Sequence, residues 1–292
     1  MRQITEPAAM QAEAAAILRA GKKHGFVPTM GNLHAGHRTL IDQARADGEI
    51  VTVSIFVNPT QFNDGADFEN YPRTLAADLQ LCAAAGVDYV FTPTAAEIYA
   101  PDRDILVIPD KLANPLCGLS RGRGHFIGVC TVVAKLFNLV RPDRVYFGQK
   151  DAQQALIIQR MISDLNFPVK MSLMPTVREA DGLALSSRNR LLTKKERQIA
   201  PQLYAALQTG AQMLAAGESR PHAVIEKMMS RLSAPEIEID YLNIVDLATL
   251  TDLEEITGDA LIAAAIKLGD VRLIDNVIAG RANSALKRGA IE

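Results

Sequence analysis

The sequence predicts an α/β protein: a parallel sheet built from βαβ units, followed by a smaller α+β domain. Three features lead there. Through the first half, short β-branched apolar runs alternate with segments of helical period, the pattern of strands joined by crossover helices. The runs are apolar almost without a break, as strands buried on both faces are. Beyond about residue 176 the order changes to helices followed by clustered strands. The division expected is 1–176 and 177–292, and 292 residues suit two domains of roughly 100–200 residues each.

Taken in order, GFVPTM (25–30) is a short apolar run that breaks into a glycine-containing loop. Residues 39–46 are helical, with Leu40, Ile41 and Ala44 grouped. EIVTVSIFV (49–57) reads as a buried strand, 74–85 as a helix and 87–91 as another short strand. Helical period returns at 126–140, and 144–147 is a strand candidate. Asp151 opens a long helix with Ala155, Ile158 and Ile162 on one face, and 169–174 follows as a strand. In such sheets ligands sit beyond the carboxyl ends of the strands, which directs attention to the residues after Val27, Val57 and Phe147. In the second domain Thr193-Lys-Lys-Glu196 is a capping box opening a helix that runs to Gly210 or beyond, and Pro221 opens another. Segments 237–245, 260–266 and 271–274 are strands.

Composition narrows the function. With 48% hydrophobic and 22% charged residues the chain can build a sizeable core, and disorder is excluded. Thirty-one Lys and Arg against 33 Asp and Glu give a net charge of −2, which argues against a nucleic-acid-gripping surface but leaves room for a compact basic site. Cys82, Cys117 and Cys130 form no C-x-x-C pair and suit a reducing compartment. The first residues carry Glu6 and Glu13 before any apolar run, unlike a secretory signal, and no uncharged apolar run approaches the roughly 18 residues of a membrane span. The expectation is a cytoplasmic protein without membrane or nucleic-acid partners.

Five stretches are candidates for chemistry. In PTMGNLHAGH (28–37) a strand gives way to two glycines and to His34 and His37 where a helix begins, a place where backbone N–H groups and the helix dipole favour an anion. Two histidines that merely cap the helix are the plainer reading, and a zincin would need i, i+4 spacing with a glutamate between. In FVNPTQF (56–62) Pro59 stops the strand and Gln61 can donate and accept at once; a turn-capping Asn58 beside a solvated Gln61 reads equally well. YFGQKDAQQ (146–154) repeats the design, with Lys150 at a helix start, a position that suits an intervening anion, and Asp151 as a plain N-cap on the alternative. Ser186, Ser187 and Arg188, in READGLALSSRNR (178–190), could hold phosphate oxygens or belong to an ordinary surface loop. SRGRGHF (120–126) is basic and glycine-rich before a helix, fit for an anion or for a partner's acid. Neither the P-loop nor the G-x-G-x-x-G fingerprint is present, so a nucleotide would bind by another device.

Together these stretches resemble the pantoate–β-alanine ligases (pantothenate synthetases), nucleotidylyl transferases that share a HIGH-type loop with class I aminoacyl-tRNA synthetases. The likeness runs through PTMGNLHAGH, FVNPTQF, YPRT, GHFIGVCTVVAKLFNLVRPDRVYFGQKDAQQ, VREADGLALSSRN and LGDVRLIDN, from Phe26 to Asn276. It implies a Rossmann-like N-terminal domain, a smaller C-terminal domain acting partly as a lid, and a homodimer. The activity implied is condensation of pantoate with β-alanine, with ATP as co-substrate and Mg²⁺, through a pantoyl-adenylate that releases pyrophosphate and AMP. By the same resemblance Met30, Gly31, Asn32, Leu33, His34, Ala35, Gly36 and His37 line the ATP site, with His34 and His37 on the phosphates and His37 as proton donor. Gly148, Gln149, Lys150, Asp151, Val177, Leu185, Ser186, Ser187 and Arg188 complete it, while Gln61 and Gln154 hold pantoate and β-alanine arrives beside Gln61. His37, His34, Lys150 and Arg188 are the catalytic set.

The family usually has Glu where Gln149 stands and often a leucine where Arg38 stands. Some relatives carry an acidic run, linked to Mg²⁺, where this chain has Leu75-Ala-Ala-Asp78, so no protein ligand of the metal is assigned. The rival readings are a nucleotidylyl transferase acting on a phosphate-bearing acceptor, an RNA-binding synthetase-like module, and a nucleotide sensor without turnover. FVNPTQF and SSRN favour the ligase over the first, and the slight acidity counts against the second.

Overall fold

The computed structural model describes residues 1–63 and 65–280, Ala66 by its backbone alone. The first unit runs β1 (Arg2–Ile4), α1 (Pro7–Arg19), β2 (His24–Thr29), α2 (Ala35–Ala46), β3 (Ile50–Ile55), α3 (Gly65–Glu69), α4 (Leu75–Ala84), β4 (Tyr89–Phe91), α5 (Ala95–Ile98), α6 (Cys117–Val140), β5 (Arg144–Gly148), α7 (Ala152–Asp164) and β6 (Lys170–Met174). The second runs α8 (Lys194–Ile199), α9 (Gln202–Ala215), α10 (Pro221–Met229), β7 (Ile237–Asp246), β8 (Ala260–Leu268) and β9 (Val271–Ala279). Single 3-10 turns occupy Pro59–Gln61, Gln149–Asp151 and Ser187–Leu191.

Six strands form a parallel sheet in the order β1-β4-β3-β2-β5-β6, and β7-β8-β9 form a separate antiparallel sheet. The expected α/β class is what the chain adopts. The parallel strands are buried as their unbroken apolar runs imply: Val51, Thr52, Val53 and Ser54 of β3 are all inaccessible.

Strand order reverses between β2 and β5, so the crevice for a ligand lies there, beyond their carboxyl ends. The opening has a local cause. β2 pairs with β3 along its whole length, to Thr29 opposite Ile55, but with β5 only at Gly25–Arg144 and Phe26–Val145. The His24 carbonyl accepts from Asp143 on the β5 side, and the Thr29 carbonyl accepts from Phe56 on the β3 side. Alternation therefore turns Pro28 towards β5, and a proline has no N–H to continue that ladder. The strands part at this residue.

Helix α6 is long and apolar enough, by length and composition, to cross a bilayer, but Phe126, Val129, Val133, Leu136 and Phe137 are buried in the main core. It begins earlier than expected: residues 120–126 lie inside it, across a kink at Gly122, whose φ of 71° favours glycine. The single helix expected from Thr193 past Gly210 is two. The capping box forms, with Glu196 N donating to Thr193 Oγ1 at 3.3 Å and Thr193 N donating to Glu196 Oε2 at 2.8 Å. The helix then stops before Pro201, which cannot donate into the turn, and α9 restarts after it. β9, expected to end at Ile274, continues to Ala279. The short β1 and the uncapped α1 precede the first element expected from sequence.

Candidate active site

The loop after β2 turns through two residues of positive φ, Gly31 (83°) and Asn32 (51°). Asp78 in the first turn of α4 holds it. Asn32 N donates to Asp78 Oδ2 at 3.0 Å, Leu33 N donates to Oδ1 at 2.8 Å, and Thr74 Oγ1 reaches both oxygens at 3.2 Å. Asp78 is buried, and its carboxylate takes two of the loop's backbone donors. Asn32, Leu33 and Ala35 do not line the cavity, while Met30, Gly31, His34, Gly36 and His37 do.

His34 and His37 do cap α2, as the plainer reading has it. Gly36 N donates to His34 Nδ1 at 3.1 Å, and His34 N donates to His37 Nδ1 at 3.3 Å. That geometry fixes the tautomer. An Nδ1 that accepts leaves the ring proton on Nε2, so both histidines present an N–H donor at the far edge. Neither Nε2 has a partner among the described residues. The rings lie 4.2 Å apart. Burial, with the neighbouring His34 and Lys150, pushes His37 down to about 3, and burial with Lys150 and Arg190 lowers His34 too. Both are neutral donors at pH 7.

The turn after β3 is built around Asn58, a buried side chain with every polar atom engaged. Its Oδ1 accepts from Thr60 N (3.3 Å), Thr60 Oγ1 (2.9 Å) and Tyr99 OH (2.8 Å), and its Nδ2 donates to the Gly128 carbonyl and to Gln61 Oε1, both at 3.1 Å. Gln61 Nε2 points to Met30 Sδ at 3.1 Å, which joins this turn to the histidine loop. His125 Nδ1 donates to the Gln61 carbonyl at 2.8 Å, so its Nε2 is an acceptor; burial chiefly, and Arg121 and Arg188 nearby, lower it to about 4. Helix α6 reaches the turn only because residue 128 is glycine, since a Cβ there would stand 2.6 Å from the Thr60 carbonyl carbon and 2.8 Å from Gln61 N.

Across the crevice, Gly148, Lys150 and Asp151 line the same cavity, with Lys150 Nζ 3.8 Å from Asp151 Oδ2. Desolvation within the crevice raises Asp151, whose side chain is half exposed there, but Lys150, Arg121, Arg188 and His125 together outweigh it and hold the carboxyl below its usual range. The Gln149 side chain turns away from the cavity to Asn276. The two adjacent glutamines both line the cavity, but Gln153 is buried with its side chain committed to the start of α6, accepting from Cys117 N (3.0 Å) and donating to Leu112 O (2.9 Å) and Pro115 O (2.7 Å).

The fourth wall is a hairpin. Leu185 N donates to Val177 O at 2.9 Å and Glu179 N to Leu183 O at 2.8 Å, and Ser186 Oγ caps the following 3-10 turn by accepting from Arg188 N at 3.3 Å. Arg197 holds its far end through Glu179 (2.5 Å) and Asp181 (2.6 Å). Val177, Leu185, Ser186, Ser187 and Arg188 all face the cavity, whose volume is about 330 Å³. Arg121, from the basic segment of α6, also lines it, and its guanidinium has no hydrogen bond or ion pair among the described residues. Among the described residues no group of three or more His, Cys, Asp or Glu side chains is placed to hold a metal.

The structure thus gathers fifteen of the nineteen expected site residues at one cavity and sets Asn32, Leu33, Ala35 and Gln149 outside its walls. Asp78, His125 and Arg121 are additions. The last two lie in the basic glycine-rich stretch, and Asp78 lies in the segment that the resemblance links to Mg²⁺, which gives no sign of its bonds to the histidine loop.

Comparison with known proteins finds close relatives over nearly the whole chain. The family model for pantoate-beta-alanine ligase matches residues 2–278. A pantothenate synthetase of Moorella thermoacetica is 51% identical over 272 residues, covering 93% of this chain and 96% of that protein. The crystal structure of pantothenate synthetase from Thermus thermophilus superposes with a TM-score of 0.88 at 43% identity, over 95% of this chain and 99% of that one. A pantoate-beta-alanine ligase from Francisella tularensis, crystallised with beta-gamma ATP and beta-alanine, has a TM-score of 0.78 at 34% identity over 95% and 97% of the two chains.

Proposed function

The chain belongs to the pantoate–β-alanine ligase family and joins pantoate to β-alanine at the expense of ATP; we propose that it does so through a pantoyl-adenylate, with His34, His37, Lys150 and Arg188 handling the phosphates. The observation that carries this assignment is the pair of Nε2 donors set by the capping bonds, facing a cavity that Lys150 and Arg188 also line.

In the first step a pantoate carboxylate oxygen attacks the α-phosphorus of ATP, the bond to the bridging oxygen breaks, and pyrophosphate leaves. The carboxylate is ionised at pH 7, so no base is needed. What the step needs is in-line placement and stabilisation of charge on the phosphates. Gln61, pinned by Asn58 and Met30, and Gln154 hold pantoate. Neutral imidazoles suit the phosphate role, since each donates one fixed hydrogen bond at no cost in protonation. In the second step β-alanine attacks the acyl carbon as its neutral amine, the bond from that carbon to the AMP phosphate oxygen breaks, and the surplus proton on nitrogen passes to solvent. A mixed anhydride must be kept from water, and in this reading Leu185 to Arg188, which line the cavity, close over it.

Mg²⁺ belongs to this reading as a cation carried in on the ATP phosphates, where it neutralises their charge. Asp78, the residue in the position linked to the metal, has both oxygens committed to Asn32, Leu33 and Thr74. A magnesium that keeps water and phosphate ligands needs no protein cage. The reading also keeps a homodimer in the cytoplasm and the division near residue 176. Incubation with ATP, Mg²⁺, pantoate and β-alanine, each omitted in turn, tests the reaction by mass spectrometry of the products. Pantoyl-adenylate and pyrophosphate without β-alanine, and pantothenate with AMP only in the full mixture, are expected. AMP and pantothenate without any detectable adenylate under single-turnover conditions would refute the two-step route.

A further inference from the structure

The motif LGDVRLIDN (268–276) enters no step above, yet its last residue touches the lysine turn. Asn276 lies on β9, the edge strand of the antiparallel sheet, and is buried. Its Nδ2 donates to the carbonyl oxygens of Gln149 and Lys150, each at 2.9 Å, and its Oδ1 accepts from Gln149 Nε2 at 3.3 Å. Those two carbonyls belong to the peptide units on either side of the Lys150 α-carbon. Pinning both planes fixes the direction in which the long, flexible lysine side chain leaves the backbone.

Asn276 is itself held. Its N–H donates to Asp275 Oδ1 at 2.8 Å, and Asp275 is paired with Arg178 through contacts of 2.5 and 3.0 Å. The Arg178 guanidinium lies 3.6 Å from the centre of the Tyr204 ring on α9. Both ends of this chain of contacts are well supported: α9 packs into the second core, and the lysine turn opens α7 in the first. Of these residues Asp275, Asn276 and Lys150 line the cavity, and the polar atoms of the Asn276 side chain are committed to the backbone and side chain of the lysine turn.

We propose that Asn276 is a positioning residue for adenylation, fixing the backbone on both sides of Lys150 and so setting where the lysine ammonium meets the phosphates of ATP. The inference rests on the phosphate role given to Lys150 above. It also assigns the antiparallel sheet a standing part in the ATP site, independent of any lid movement.

The test separates the half-reactions in the full-length enzyme. Asn276→Ala should slow pantoate-dependent ATP–pyrophosphate exchange by roughly 10- to 100-fold, the scale of a misplaced catalytic group. The KM for β-alanine and the rate of pantothenate formation from preformed pantoyl-adenylate should stay those of the unmodified enzyme. Asn276→Ser, which keeps one donor, should show the same split with a smaller loss, and it serves if the alanine variant does not fold. The sharper readout is a double-variant cycle: with Lys150→Ala in place, adding Asn276→Ala should slow exchange no further. Equal losses in both half-reactions, or losses that multiply in the double variant, would overturn the inference. Full exchange activity in Lys150→Ala alone would instead remove the phosphate role of Lys150, and the inference with it, so the two failures are told apart.

Discussion

The histidine loop and the lysine turn face each other across the parting of β2 and β5, but they are held in different ways. The first is secured from within its own unit: Asp78 of α4, 45 and 46 residues along, takes two of its amides, and its own histidines close the helix cap. The second is secured from another sheet by Asn276, 126 and 127 residues away. The same device serves both, a buried side chain satisfying the backbone beside the working residue. The difference lies in what each loop's geometry depends on. The histidine donors follow from the first unit alone, whereas the lysine depends on how the second unit docks.

The largest effect should come from the histidine side, where working group and structural cap are one residue. His37→Ala is expected to lower adenylation by roughly 10²–10³, the scale of losing one preorganised donor, and to cost about 1 kcal/mol through the lost cap. Exchange kinetics with a parallel thermal melt measures both. A variant that loses the stability but keeps its rate would reduce His37 to a cap.

Next in size is Asp78→Ala, which leaves two buried amides without an acceptor at a cost of roughly 1–3 kcal/mol. The loop bearing the histidines would shift with it, and kcat should fall by about 10²-fold. The KM for β-alanine should hold. If Asp78→Ala were as active as the parent, the loop would owe its shape to the histidine caps alone, and the comparison would fail on that side.

These two residues show what the sequence makes legible. His34, His37, Lys150 and the Ser186–Arg188 stretch can be read because each follows a strand or a glycine turn, and a strand's carboxyl end is where such sheets bind ligands. The loop-holding role of Asp78 is invisible for a physical reason: an aspartate in the first turn of an apolar helix reads as a dipole partner, and only the packing of α4 brings it beneath residues 31–33. Asn276 is hidden too, since the strand expected to stop at Ile274 continues past it and its register against the lysine turn is not encoded nearby. The sheet order itself, with β2 beside β5, rests on contacts across more than a hundred residues. The single helix read through Pro201 fails because period alone outweighs a breaker in that reading.

Acid should separate the two sides more gently. His24 is buried with Nε2 2.7 Å from Thr52 Oγ1, and burial lowers it to about 4; His37, at about 3, and His125, at about 4, are shifted the same way. A histidine whose folded pKa lies below its unfolded value binds protons more readily when unfolded, so stability rises with pH across the interval between them. The window runs from about pH 6.5 down to about pH 4 for His24 and His125 and to about pH 3 for His37, and His24 alone is worth about 3 kcal/mol across it at ~1.4 kcal/mol per unit. All three histidines lie in the first unit. Hydrogen exchange at pH 5 against pH 7 should therefore quicken in β2 and α2 before β8. Earlier opening of the antiparallel sheet would contradict this.

The smallest effects are expected where the chain departs from its family. Arg38 follows His37 directly, yet its guanidinium turns along α2 to Asp42 at 2.6 Å, and the two side chains are 42% and 50% exposed. An i, i+4 pair so open to solvent is worth roughly 0.3–0.5 kcal/mol and is screened by salt. Arg38→Leu should shift the melting midpoint by about 1–2 °C and leave exchange kinetics unchanged. Gln149 differs in kind. Its side chain also leaves the cavity, but it donates to Asn276, so Gln149→Glu removes a hydrogen-bond donor and adds a charge to the support of the lysine turn. It should slow exchange measurably where Arg38→Leu does not. If the two substitutions rank the other way, the exposed face of α2 bears on ATP and the lysine turn tolerates a charge within its own support.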